Sequence, residues 1–277
     1  MTELMRYFSY PFVRYAFAVG VMIALCAALI GVVLVLKRFS FLGDGLSHFA
    51  FGVIAAASVA GLTDNMLVVL PVTVICAVLL LRAGQNAKVK GDAAVAMISV
   101  SSLAVGYLLL NVFSTSANVS GDVCGTLFGS ASMLTLNRRD VILCVVLAVV
   151  TLLVFILFHN RIFSVTFDES FSTATGTSAS LFNTVTAVMA ALVIVFGMKL
   201  VGSLLITALI VFPVLGAMRL YKSFLAVTVC AGIFALIAAL GGFLASLAFS
   251  TPVGATMAAA DMVLFGICAL IGRVRSN

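Results

Sequence analysis

Charge is what this sequence has least of. Asp, Glu, Lys and Arg make up 9% of its 277 residues and hydrophobic residues 64%, whereas a soluble domain carries about 25% charged and about 45–50% apolar residues. With a mean hydropathy of +1.32, the chain reads as an integral membrane protein, which excludes a secreted disulfide scaffold, a disordered regulator and a nucleic-acid-binding domain. Trp is absent, so an aromatic belt at the membrane–water interface has to use Tyr; Tyr7, Tyr10 and Tyr221 fall near the ends of apolar runs. The cysteines (Cys26, Cys76, Cys124, Cys144, Cys230 and Cys268) are dispersed, without the short paired spacing of a zinc knuckle or redox motif, and read as small packing residues. There is no Gly-x-x-x-x-Gly-Lys-Ser/Thr loop to hold nucleotide phosphates, no Gly-x-Ser-x-Gly elbow and no His-Glu-x-x-His pair. The chain is therefore read as a non-enzyme with no catalytic residues, and any ATP dependence has to come from a partner. A cleavable signal peptide is not expected, because Arg14 interrupts the start of the chain and the first apolar run is too long for one.

What the chain does have is long apolar runs, at about 12–36, 44–62, 65–82, 92–113, 140–159, 178–197, 200–219, 223–249 and 253–272. Most reach the ~20 residues that a helix needs to cross the hydrocarbon. The fold class that follows is all-α: a polytopic integral membrane protein of about nine transmembrane helices, with eight and ten as the neighbouring counts, in a single domain over 1–277. Gly197-Met198-Lys199 is the only polar break inside 178–219, and 113–139 is too polar to span simply. An outside N-terminus puts Lys37, Arg38, Arg82, Lys88, Lys90, Arg161, Arg219, Lys222, Arg273 and Arg275 on the cytoplasmic side. Arg6, Arg14, Arg138, Arg139 and Lys199 remain outside. The net charge of +6 is thus read as loop charge.

Ionisable side chains inside a bilayer are costly, so each one within a span is a functional candidate. Asp44 and His48 are four residues apart in Gly43-Asp44-Gly45-Leu46-Ser47-His48, which puts them on one helix face. His48 lies about 15 Å beyond the basic pair Lys37-Arg38, near half the hydrocarbon thickness. A carboxylate and an imidazole suit zinc or manganese, where magnesium prefers oxygen alone. Two readings stand at this point: a metal or proton site, or an internal Asp–His hydrogen bond that locks one helix to its neighbour. Asp261 is also placed near the midplane, about 18 Å before Arg273, either as a third ligand or gating group or as a carboxyl bonded within the bundle. Gly52, Ala56 and Ala60 continue the Asp44 helix as a small-residue ridge that permits close helix approach.

The segment at about 161–177 differs in character. Asp168 and Glu169 suit the first turn of a short helix against its positive dipole end, and Gly176 suits its termination. Phe167, Phe171 and Ala174 recur at helical spacing, a face for the membrane surface or for a partner.

These motifs together resemble the permease subunit of bacterial metal-ion ABC importers, from about residue 12 to 272. Lys37-Arg38 followed by Gly43-Asp44-Gly45-Leu46-Ser47-His48 is similar to that family's basic pair and Gly-Asp-x-Leu-Ser/Ala-His. Asp122 through Leu127-Phe128-Gly129 resembles its Asp…Leu-Phe-Gly segment, and Phe167-Asp168-Glu169 through Gly176 resembles its coupling loop. Lys199-Leu200-Val201-Gly202-Ser203-Leu204-Leu205-Ile206-Thr207-Ala208 to Pro213 is close to its Lys-x-Val-Gly-x-Leu-Leu-hydroxyl-Ala motif. Two positions depart from the pattern: Val214-Leu215-Gly216-Ala217 follows Pro213 in place of smaller residues, and Asp261 stands where an apolar residue is expected.

The resemblance implies a homodimer in the bacterial inner membrane, in contact with membrane lipid, with two cytoplasmic ATP-binding subunits and an extracytoplasmic metal-binding protein as partners. It also implies no permanently bound cofactor, zinc or manganese as the transported substrate, Asp44 and His48 as transient metal ligands, and Asp168, Glu169, Phe171 and Gly176 as the element that couples to the ATPase. The competing expectation is a proton-coupled secondary metal transporter using Asp44, His48 and Asp261.

Overall fold

The computed structural model describes residues 9–62, 66–86, 91–113 and 136–276. They form ten helices and, among the described residues, no strand: α1 (Pro11–Leu36), α2 (Leu42–Val59), α3 (Met66–Asn86), α4 (Gly91–Phe113), α5 (Arg138–Phe167), α6 (Glu169–Ala174), α7 (Ala179–Val201), α8 (Ser203–Leu220), α9 (Phe224–Phe249) and α10 (Val253–Ser276). Eight of them (α1, α2, α4, α5, α7, α8, α9 and α10) are long and apolar enough to cross a membrane. The run expected at 65–82 is the ninth long helix, α3, whose apolar stretch Val68–Leu81 is shorter. Each expected span thus has its own helix. The polar stretch 114–135, with the Asp122–Gly129 motif and Cys124, lies outside the described residues.

Helix α1 sits at the centre, against α5, α7, α8 and α9. Its approach to α8 depends on a missing side chain: a Cβ on Gly31 would stand 2.3 Å from the carbonyl oxygen of Ile210. Between apolar helices in lipid, this kind of close backbone approach replaces the hydrophobic driving force available in water. The outer faces carry exposed apolar side chains such as Val100, Leu108, Ile156, Leu157 and Leu270, as a surface solvated by lipid requires.

Two chain reversals and one helix bend set the frame of the site. Helices α7 and α8 are separated by Gly202 alone, at φ +100°, a conformation that glycine adopts without steric cost; Gly197 then meets Ile206 across the turn. The break therefore falls three residues after the polar triplet that marks it in the sequence. Helix α5 is bent at Phe158 (φ −112°, ψ 16°), so the apolar run ends at the bend and the helix continues to Phe167. At the end of α1, the N–H of Arg38 donates to the Val35 carbonyl (3.1 Å) and that of Phe39 to the Leu34 carbonyl (2.8 Å). This is the paired closure of a helix end whose next residue is left-handed; that residue is Arg38, at φ +63°, and Phe39 is buried behind it.

Candidate functional site

The chain leaves that closure and starts α2 inside the bundle. Gly31 of α1 and Gly43 of α2 both meet Ile210 of α8, so Asp44 stands at the depth of Gly31, about 9 Å along the helix axis from Lys37. The two glycines flanking Asp44 are used on opposite sides. A Cβ on Gly43 would stand 3.0 Å from Cδ1 of Ile210, and one on Gly45 would stand 2.2 Å from Cγ1 of Val95 in α4. Helix α2 is thereby wedged between α8 and α4, with Asp44 between the two contacts. One face further on, Gly52 meets Ser102 and Gly106 of α4. Of the expected small-residue ridge only Gly52 is used in this way; Ala56 and Ala60 are exposed.

Asp44 and His48 come together as their spacing predicts: Nε2 of His48 lies 3.3 Å from Oδ1 of Asp44, with the side chains 16% and 33% exposed respectively. Asp44 is in the first turn of α2, where the helix dipole favours a carboxylate. It opens onto a cleft of about 510 Å³ between the α1–α2 turn, α8 and α10, lined also by Ser40, Phe41, Thr207, Ala208 and Ala258. Among the described lining residues Asp44 alone carries a charge. Ser40 and Thr207 add hydroxyls, and neither was singled out from the sequence, although both lie within or beside the motifs quoted above.

Asp261 is placed differently. Helix α10 runs in step with α8: Phe212 packs on Phe265 at 5.9 Å between ring centroids, Gly216 faces Cys268, and Gly272 faces Arg219. This register puts Asp261 level with Ala208, but on the face of α10 turned into the bundle. It is 1% exposed, outside the cleft lining, and neither carboxyl oxygen has a hydrogen-bond partner among the described residues. No group of three or more His, Cys, Asp or Glu residues is placed to hold a metal among the described residues. Within one chain the structure therefore brings two donors together, Asp44 and His48.

At the far end of α5, Asp168 caps α6, its Oδ1 accepting from the N–H of Phe171 at 2.8 Å. Glu169 opens the helix, and Gly176 follows it at φ +86°. Phe167 belongs to the end of α5, tilted against Phe163 and edge-on to Phe224, so the aromatic pair Phe167 and Phe171 spans the junction of two helices instead of one helix face. Both are 61% exposed. The opposite side of α6 is anchored: Ser172 is buried and its hydroxyl pairs with that of Ser164. Beside it, Nζ of Lys37 donates to Oδ1 of Asn183, an α7 side chain 6% exposed. Burial holds the Lys37 ammonium below the ordinary lysine range, and the Glu169 carboxylate acts in the opposite sense. Asn183 escaped sequence reasoning, since an amide in an apolar run carries no charge to attract notice.

A bundle of membrane-length helices, with a half-buried carboxylate–imidazole pair whose carboxylate faces a cleft and a short capped helix at one end, defines a multi-pass membrane permease. The chain belongs to the ABC 3 transport family, whose model matches residues 9–272. It is 28% identical over 257 residues to a probable metal transport system membrane protein of Thermotoga maritima, covering 93% of this chain and 89% of that one. It is 25% identical to the high-affinity zinc uptake system membrane protein ZnuB of Haemophilus influenzae (90% and 94% covered) and 25% identical to the manganese transport system membrane protein MntC of Halalkalibacterium halodurans (94% and 87%). Its fold matches PsaBC from Streptococcus pneumoniae, solved in complex with Fab, with a TM-score of 0.80 at 23% identity over 96% of this chain and 94% of that chain.

Proposed function

We propose that this chain is the permease subunit of an ATP-driven importer of divalent metal ions in the bacterial inner membrane, with zinc as the first substrate and manganese the next. The observation that carries this reading is the Asp44–His48 pair, with Asp44 at the wall of the cleft. Imidazole nitrogen and carboxylate oxygen are donors that zinc accepts readily and manganese tolerates, and the relatives include systems named for each metal. Two donors fall short of the four that close a structural zinc site. The remaining positions can be filled by water or by Asp44 and His48 of a second copy, and incomplete ligation favours release over storage.

In the cycle that follows, an extracytoplasmic metal-binding protein delivers the ion to the cleft. Two cytoplasmic ATP-binding subunits dock at the α5–α6 junction through Phe167 and Phe171, and their closure reorients the helices so that the ion leaves inward. The chain itself holds no ATP and catalyses no hydrolysis.

The test is uptake of radiolabelled zinc and manganese by proteoliposomes containing the full complex. Asp44→Ala and His48→Ala are each expected to reduce uptake at least about 10-fold, since each removes one of two protein donors. Unchanged uptake in both variants rejects the site. Uptake that persists without ATP and collapses with a protonophore would instead establish the proton-coupled alternative.

A further inference from the structure

Helix α6 and the Asp44–His48 pair lie at different depths of the bundle, yet one side chain touches the path between them. Lys37 is the residue that closes α1. Its ammonium donates to Asn183 in the second turn of α7 and lies within electrostatic reach of Glu169, the first residue of α6. Helix α6 in turn packs on both α5 and α7. The cation is therefore held on α7 and faces the start of α6, and it is drawn out of water to do so.

Beyond Lys37 there is no slack. The Arg38 and Phe39 amides are bonded back to Val35 and Leu34, the Leu42 amide donates to the Phe39 carbonyl (3.1 Å), and the Gly45 amide donates to the Phe41 carbonyl (2.9 Å). The side chains of Phe39 and Leu42 are buried, and Arg38 is held left-handed, a conformation disfavoured for a non-glycine residue that persists only where its surroundings enforce it. Lys37 is thus joined to Asp44 by a continuous hydrogen-bonded turn and not by a flexible loop. The backbone at Lys37 and the start of α2 therefore form one hydrogen-bonded unit.

We propose that Lys37 is a positioning residue that transmits movement of α6 and the start of α7 to the turn carrying Asp44, and hence to the metal pair. The proposal rests on the reading of α6 as the ATPase contact and of Asp44 and His48 as the cargo site. It assigns Lys37 neither a ligand role nor a role in assembly. A neutral side chain of similar length should leave the complex assembled and able to hydrolyse ATP, while uptake no longer follows hydrolysis.

The experiment compares the full complex in proteoliposomes carrying the native chain, Lys37→Met, Lys37→Arg and the charge exchange Lys37→Glu with Glu169→Lys. Zinc uptake and ATP hydrolysis are measured on the same vesicles, and co-purification of the ATP-binding subunits is measured in parallel. Lys37→Met is expected to lower zinc transported per ATP at least about 10-fold, the loss of one charge-assisted link, with co-purification and basal hydrolysis retained; Lys37→Arg restores most of the ratio, and the charge exchange restores part of it. An unchanged ratio in Lys37→Met overturns the proposal, as does loss of co-purification, which makes Lys37 a structural tie. Asp44→Ala run beside them separates the two readings: if it abolishes uptake while Lys37→Met does not, the relay fails and the metal site stands, and if it leaves uptake intact, the site itself fails.

Discussion

Asp44 owes its position to the glycines on either side of it. Gly43 admits Ile210 and Gly45 admits Val95, so the backbone is gripped from two directions and the one side chain between them is left facing the cleft. The four-residue spacing to His48 made this pair legible from the sequence, because helical periodicity alone puts such residues on one face. Lys37 and Asn183 were not legible as partners: they are 146 residues apart, and nothing in a local pattern reports a contact between helix ends. Asp261 was visible as an anomaly but not as a location, since periodicity cannot say which side of α10 meets the bundle. Its carboxyl is buried without a described partner, and such a group costs about 1–3 kcal/mol. Asp261→Ala is accordingly expected to raise the midpoint of thermal unfolding in detergent while zinc uptake is retained. A loss of uptake matching that of Asp44→Ala would put Asp261 on the pathway.

Among the elements, the long spans were legible because lipid demands uninterrupted apolar runs of helix length, and each run has its helix. Their ends were less so. The α7–α8 reversal needs one glycine at positive φ and no polar loop, and α5 outlasts its apolar run because a bend at Phe158 lets the same helix leave the span. Helix α6 was legible almost to the residue from Asp168 and Gly176, whose capping and terminating chemistry is local. With six residues it is too short to hold itself together, so its cap and the Ser164–Ser172 pair keep it formed. Asp168→Ala removes an N-cap worth about 1 kcal/mol. Under the proposed role of α6, that variant should lower zinc transported per ATP while zinc binding by the complex stays native; equal loss of both would show that α6 supports the fold and not the coupling.

For the molecule as a whole, the open question in the sequence is how two donors make a site, and the structure sharpens it. The described residues of one chain offer Asp44 and His48, an apolar cleft with two added hydroxyls, and no third strong ligand. Under the proposed pairing of two copies, a second Asp44–His48 pair would give two imidazoles and two carboxylates, which matches the coordination number zinc prefers while leaving each chain with only half of it, so that a shift between copies releases the ion. On the proposed reading the metal is held between two copies and released from the end that carries α6 and Lys37.

The most direct measurement is X-ray absorption at the zinc edge on the purified complex loaded with one equivalent of zinc per pair of permease chains, native beside the Asp44→Ala, His48→Ala double variant. The proposed Asp44–His48 site requires a shell of nitrogen and oxygen at about 2.0–2.2 Å with imidazole scattering and no sulfur, lost in the double variant. A sulfur shell, or a native-like spectrum that survives removal of both residues, would contradict it.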